Sequence, residues 1–97
     1  MNRDYKVVVR KRAEAQIAAA HDWYEHEREG LGEEFLACVR EAIEHLQFFA
    51  GIYATVYRDF RRVPVVRFPY GVFYRIVKRR VIVQRVLHNR QSLSNLE

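Results

Sequence analysis

The spacing of apolar residues changes period twice along this chain. Tyr5 to Val9 is a short β-branched run and reads as a strand. From Arg12 the apolar residues recur at helical spacing, Ala13, Ile17, Ala20 and Tyr24, with polar Glu14 and Gln16 between them. The Ala-rich stretch 13–20 has the best helix propensity in the chain. This helix is expected to end near Glu29, with Gly30-Leu31-Gly32 supplying cap and turn, because glycine takes the left-handed conformation a helix end needs. Phe35, Leu36, Val39, Ala42, Ile43 and Leu46 then form a stripe that predicts a second amphipathic helix to about Phe49. So short a turn implies an antiparallel helix hairpin.

After Ala50-Gly51 the pattern becomes β. Arg61 to Phe68, Val72 to Val77 and Val81 to Leu87 are rich in Val, Ile, Tyr and Phe, with Pro69-Tyr70-Gly71 and Lys78-Arg79-Arg80 as connections. Ala54 to Tyr57 is ambiguous and could add a short strand. Pro64 has no N–H for a ladder, which places the first of these strands at an edge or gives it a bulge. The expected fold is α+β: a strand, an antiparallel helix hairpin, then a three-stranded antiparallel meander, with the helices on one face of the sheet. Residues 1–97 form a single domain in this reading. One sheet face has no helix to cover it, and such a face carrying aromatics and arginines is a candidate docking surface.

Composition narrows the class. The 97 residues are 49% hydrophobic and 13% aromatic, which excludes a disordered chain. One cysteine excludes a disulfide scaffold and fits a reducing cytosol. Between the charges of the N-terminal segment lies only the run Val7 to Val9, too short for a signal or membrane span, so a soluble cytoplasmic protein without membrane contact is expected. The net charge of +5 is unevenly divided. Residues 1–50 carry 7 basic and 10 acidic side chains, net −3, whereas residues 51–97 carry 10 basic and 2 acidic, net +8. Nine of those ten cations are Arg, whose planar fork pairs with carboxylate or phosphate, so the C-terminal half is suited to an anionic partner.

Motifs for chemistry are sparse. His21, His26 and His45 fall on the predicted helices without HExxH or paired cysteines, so neither a metal nor a cofactor is expected. His88 sits at the end of the last strand beside Asn89 and Arg90, three residues after Arg85. It is a candidate for acid/base chemistry or for a hydrogen bond at the end of the sheet. Cys38 reads as a small buried hydrophobe. Trp23 and Tyr24 are expected to anchor the first helix to the sheet. No Gly-rich phosphate loop and no Ser/His/Asp order is present.

Several residues in order point to a family. Trp23-Tyr24 stands late in the first helix, Gly30-Leu31-Gly32 is followed by Phe35, Arg62 lies on the next strand, Arg67-Phe68-Pro69-Tyr70 leads to Tyr74-Arg75, and Val86-Leu87-His88-Asn89-Arg90 ends the sheet. Over nearly the whole chain this resembles the ParE branch of the RelE/ParE toxin superfamily. The resemblance implies a toxin of a bacterial type II toxin-antitoxin (plasmid stabilisation) module, acting in the cytoplasm. It also implies a hetero-oligomeric complex in which the C-terminal segment of a cognate antitoxin folds onto the toxin. An acidic antitoxin tail would be drawn to the +8 half. Arg62, Arg67, Tyr74, Arg75, His88 and Arg90 are then the expected contacts to antitoxin or target. ParE-like members poison DNA gyrase by binding. RelE-like members cut messenger RNA on the ribosome, and here Arg62, Arg85, Arg90 and His88 would be the working residues of such an endoribonuclease. The tail Gln91 to Glu97 contains no Tyr, which favours the gyrase-directed, non-enzymatic branch. A non-toxic basic interaction module stands as a third reading.

Overall fold

In the computed structural model, which describes residues 4–97, the chain runs β1 (Lys6–Val9), α1 (Lys11–Glu27) and α2 (Leu31–Phe49). A 3-10 turn (Ala50–Ile52) leads to β2 (Thr55–Tyr57), β3 (Phe60–Pro64), β4 (Tyr70–Val77) and β5 (Arg80–His88), followed by a second 3-10 turn (Leu93–Leu96). The α+β order is the expected one, and the ambiguous segment does add the short strand β2. The strands form one sheet in the order β1-β5-β4-β3-β2. It is mixed rather than wholly antiparallel, because β1 lies parallel to β5 with Val7 opposite Val81 and Val9 opposite Val83.

The helix hairpin closes one residue earlier than its glycines suggest. Gly30 alone carries the left-handed backbone, at φ 87°, and Gly32 already lies inside α2. The Glu25 carboxylate caps the new helix, accepting the Gly30 N–H at 2.9 Å and the Gly32 N–H at 3.0 Å. The Gly30 N–H is the main reason that carboxyl titrates below its ordinary value. Gly32 serves close approach: a Cβ there would stand 2.7 Å from the His21 carbonyl oxygen. His21 ties the two helices through Nε2, which meets Glu33 of α2 at 3.0 Å, while its Nδ1 meets Asp22 of its own helix at 2.9 Å.

The helices cover one sheet face. Ala13 and Ala20 of α1 and Phe35, Val39, Ala42 and Leu46 of α2 pack on Val63, Val65, Val72, Tyr74, Val81, Val83 and Val86. Phe35 is the hub, with Tyr24, Phe68 and Tyr70 at ring distances of 5.2, 5.2 and 5.1 Å. Trp23 corrects the expectation that it anchors the helix, for it is 57% exposed. One residue is about 100° around a helix, so Tyr24, in line with Ala13, Ile17 and Ala20, takes the core position and Trp23 turns outward.

A bulge on β5 sets what each face carries. Phe73 pairs with Arg85 and Tyr74 with Val83, leaving Gln84 as the extra residue. Val81, Val83 and Val86 thereby share the helix face, while Arg85 and Leu87 turn to the other. Gln16 of α1 reaches the disturbed ladder, its Oε1 accepting the Val86 N–H at 2.8 Å. The second face is not bare, as expected from sequence, but half covered. The C-terminal 3-10 turn lays Leu93 and Leu96 over Phe60, Phe73 and Leu87.

The expected first strand of the meander, Arg61 to Phe68, stops at Pro64. The Val65 N–H donates to Tyr70 O at 2.9 Å and Arg67 adopts φ 75°, so residues 65–69 form the loop into β4. Because the Val65 N–H faces β4, the nitrogen of Pro64 faces the opposite edge, beyond Arg61, the last partner of β2. Arg58 at φ 53° and Lys78 at φ 59° turn the other two hairpins.

Two measurements follow from the hairpin. Both His21 nitrogens meet carboxylate oxygens, so only the imidazolium satisfies both, and its pKa is raised, first by Asp22 and then by Glu33. A raised folded pKa means stability that is fully present below the ordinary value of 6.5 and lost as pH rises through the folded value. Urea midpoints measured between pH 5.5 and 9 should therefore fall across that window, and His21→Gln should flatten the profile; an unchanged slope would exclude the bridge. Gly32→Ala, which forces the helices apart, should lower unfolding free energy by about 1–3 kcal/mol in the same titration.

Candidate interaction surface

The second sheet face is a set of aromatic rings with guanidinium groups above them. Arg62 of β3 stands directly opposite Phe73 of β4, its charge centre 6.0 Å from the ring. Arg75, two residues along β4, lies 5.6 Å from Phe60. Each guanidinium is then fixed from the side. Arg62 Nη2 donates to Asn89 Oδ1 at 2.6 Å, and Arg75 Nε donates to Asp59 at 2.9 Å. Gly71 leaves room for Arg62, since a Cβ there would collide with its Nε.

His88 ends β5 at the same corner. Its ring meets Tyr70 edge-on at 5.2 Å, and its Nδ1 accepts the Arg90 N–H at 3.0 Å. In the neutral ring this puts the remaining proton on Nε2. The His88 N–H donates to Gln91 Oε1 at 2.8 Å, and the Asn89 N–H to Pro69 O at 2.8 Å, so the 89–91 turn is held on both sides. Arg62, Phe73, His88, Asn89, Gln91 and Leu93 line a shallow depression of about 240 Å³. The Arg90 side chain extends from the exposed turn beside it, with no hydrogen-bond or ion-pair partner among the described residues.

The remaining candidates lie elsewhere. Arg67 reaches across to α2, where Nη2 sits 2.7 Å from Glu34, whose other oxygen holds Arg28 at 3.1 Å. Arg67 is the main cause of the depressed Glu34 carboxyl pKa. Tyr74 is a correction: it is fully buried on the helix face and donates its hydroxyl to Ala50 O at 2.6 Å. Burial pushes its phenol up to about 12. Strand alternation already forbids Tyr74 and Arg75 from sharing a face. Arg85 is a second correction, for it is only 6% exposed beneath the C-terminal turn. Its Nε donates to Asn95 O at 3.1 Å and its Nη1 to Gln84 O at 2.7 Å, so it fastens the tail and is withdrawn from any phosphate. Burial, with Arg12 second, lowers its pKa, yet a guanidinium stays charged.

Phe73, Asn89 and Gln91 were absent from the sequence candidates. Phe73 was detectable as the residue two before Arg75 on the same strand face, whereas Asn89 and Gln91 become visible only when the turn folds back. Apolar grooves lie on the helix side. One of about 370 Å³ runs between α2 and β3, with Cys38, Ala42, His45, Tyr53 and Pro64 in its wall. Another, of about 390 Å³, follows the outer hairpin past Ile17, Ala18, Leu36 and Ile43. Among the described residues no group of three His, Cys, Asp or Glu could hold a metal ion, and no helix is long and apolar enough to cross a membrane.

Comparison with known proteins gives the chain a family. A search of curated proteins finds no match. Among solved structures, one described as a chromosomal ParDE TA system from P. aeruginosa superposes with a TM-score of 0.79. The alignment covers 90% of this chain and 98% of that one at 16% identity, a likeness of fold. Residues 7–93 match the family described as ParE toxin of type II toxin-antitoxin system, parDE, and the chain therefore belongs to the ParE toxin family.

Proposed function

We propose that this toxin stops growth by binding DNA gyrase and is held inactive by a cognate antitoxin within a plasmid-stabilising module of the bacterial cytoplasm. The observation that carries this reading is the corner where Arg62, held by Asn89, stands with His88 beside the turn that carries the Arg90 side chain, unpaired among the described residues. It is shallow, which suits a macromolecular target better than an enclosed small substrate. The endoribonuclease reading loses Arg85, which the tail covers, and is left with His88 as its one candidate from the sequence for proton transfer.

The antitoxin finds support in a different part of the surface. The apolar residues of an antitoxin segment fit the grooves beside α2 and along the outer hairpin, whose walls also carry Glu41 and Glu14. The strongly basic C-terminal half would speed its encounter. In this reading Arg67 and Arg75, each already on a carboxylate, could exchange that partner for an antitoxin side chain.

Purified toxin is expected to inhibit supercoiling by gyrase, with Arg62→Ala and Arg90→Ala each weakening inhibition about tenfold or more and leaving the fold intact. Gly71→Ala, which displaces Arg62 without removing it, should act like Arg62→Ala. Gyrase left untouched at concentrations that arrest cells would sink the gyrase reading, and new messenger cuts mapped by primer extension would replace it. Adding the cognate antitoxin should restore supercoiling, less effectively as salt rises.

A further inference from the structure

His88 is a shared wall. On one side lies the polar depression of Arg62, Asn89 and Gln91; on the other is a cavity of about 370 Å³ lined by Trp23, Tyr24, Pro69, Tyr70 and His88. The second cavity is almost entirely ring surface. Trp23 and Tyr24 meet at 5.1 Å, Tyr24 and Tyr70 at 6.2 Å, and Tyr70 and His88 at 5.2 Å, giving a continuous aromatic lining. Its volume falls in the ~300–1,000 Å³ range of small-ligand sites. Trp23 is 57% exposed at its rim, a large apolar ring that the core does not use.

Charge identifies the ligand class. No Asp or Glu lines either depression. Arg62 is held by the neutral Asn89 amide, so its charge is not cancelled, and Arg90 has no partner among the described residues. The His88 Nε2 proton is free to donate, because Nδ1 is taken by the Arg90 N–H. An aromatic cavity of edge-on rings, separated by His88 from the depression that holds the uncancelled Arg62, with Arg90 on the 89–91 turn beside it, matches an unstacked base joined to a phosphate. We infer that these two depressions form a site for single-stranded nucleic acid, with a base stacked in the Trp23–Tyr70–His88 cavity and its phosphate at Arg62 and Arg90. Duplex is excluded, because its bases present only their edges. The inference stands independently of the gyrase reading.

The chain has a single tryptophan, so Trp23 emission reports occupancy of this cavity directly. The probe is a single-stranded oligothymidylate hexamer of DNA, which has no 2′-hydroxyl to be cleaved. Saturable quenching is expected, with an affinity weakened at least about fivefold by Arg90→Ala. Arg79→Ala, at the far turn between β4 and β5, removes the same charge and should change affinity less than about twofold. A blunt duplex of equal length should leave emission unchanged. No saturable quenching up to about 1 mM strand would overturn the proposal, as would equal quenching by the duplex or equal loss in both variants. Poly-glutamate quenching as well as the oligonucleotide would show that the cavity reads an acidic peptide instead.

Discussion

The extra residue at Gln84 is the constraint on which the two-faced character of this sheet depends. β5 lies between β1 and β4, and its second half must serve the helix core with Val86 while sending Arg85 and Leu87 the other way. Uninterrupted alternation would place Arg85 in line with Val81 and Val83, beneath the helices, where a guanidinium would be desolvated without water or a carboxylate. The bulge moves it across, and Gln16 takes the Val86 N–H that the irregular ladder leaves over. A single insertion thus keeps an all-apolar core on one face and an aromatic, cationic surface on the other.

Much of this was legible in the chain. The helix stripes, the Val- and Ile-rich strands and the charge division rest on periodicity and composition, which act locally. Errors arose where a distant partner decides. Gly32 looked like turn glycine until its contact with the His21 carbonyl showed that it is kept small by helix approach. Trp23 and Tyr24 are equal by propensity, and only their angle around α1 separates them. Residues 65–68 have the pattern of a strand because Val65, Val66 and Phe68 have β character, while the loop they form is closed by Val65 bonding to Tyr70.

The site was half legible for a related reason. Arg62, Arg75, His88 and Arg90 could be listed from residue type, yet their grouping depends on the bulge, on the turn at 89–91 and on the C-terminal segment folding back. That segment changes the role of Arg85 most. In sequence it is one more cation near His88; in the fold its guanidinium holds the backbone carbonyl of Asn95 and fixes Leu96 on the Phe60–Phe73 cluster. A charge that looked available to a ligand is structural, and the open cations are those held by neutral neighbours or by none.

The hairpin turns carry a consequence of their own. Arg58, Arg67 and Lys78 all occupy the left-handed region, where a residue with a Cβ costs about 1–2 kcal/mol more than glycine. Glycine or asparagine would relax each turn, yet each holds a long cation at the rim of the sheet. The molecule therefore sits below its own stability optimum at three separate points, and at every one the sacrifice retains positive charge. If an antitoxin holds the toxin inactive, as proposed above, folding free energy missing from the isolated chain is restored by the complex.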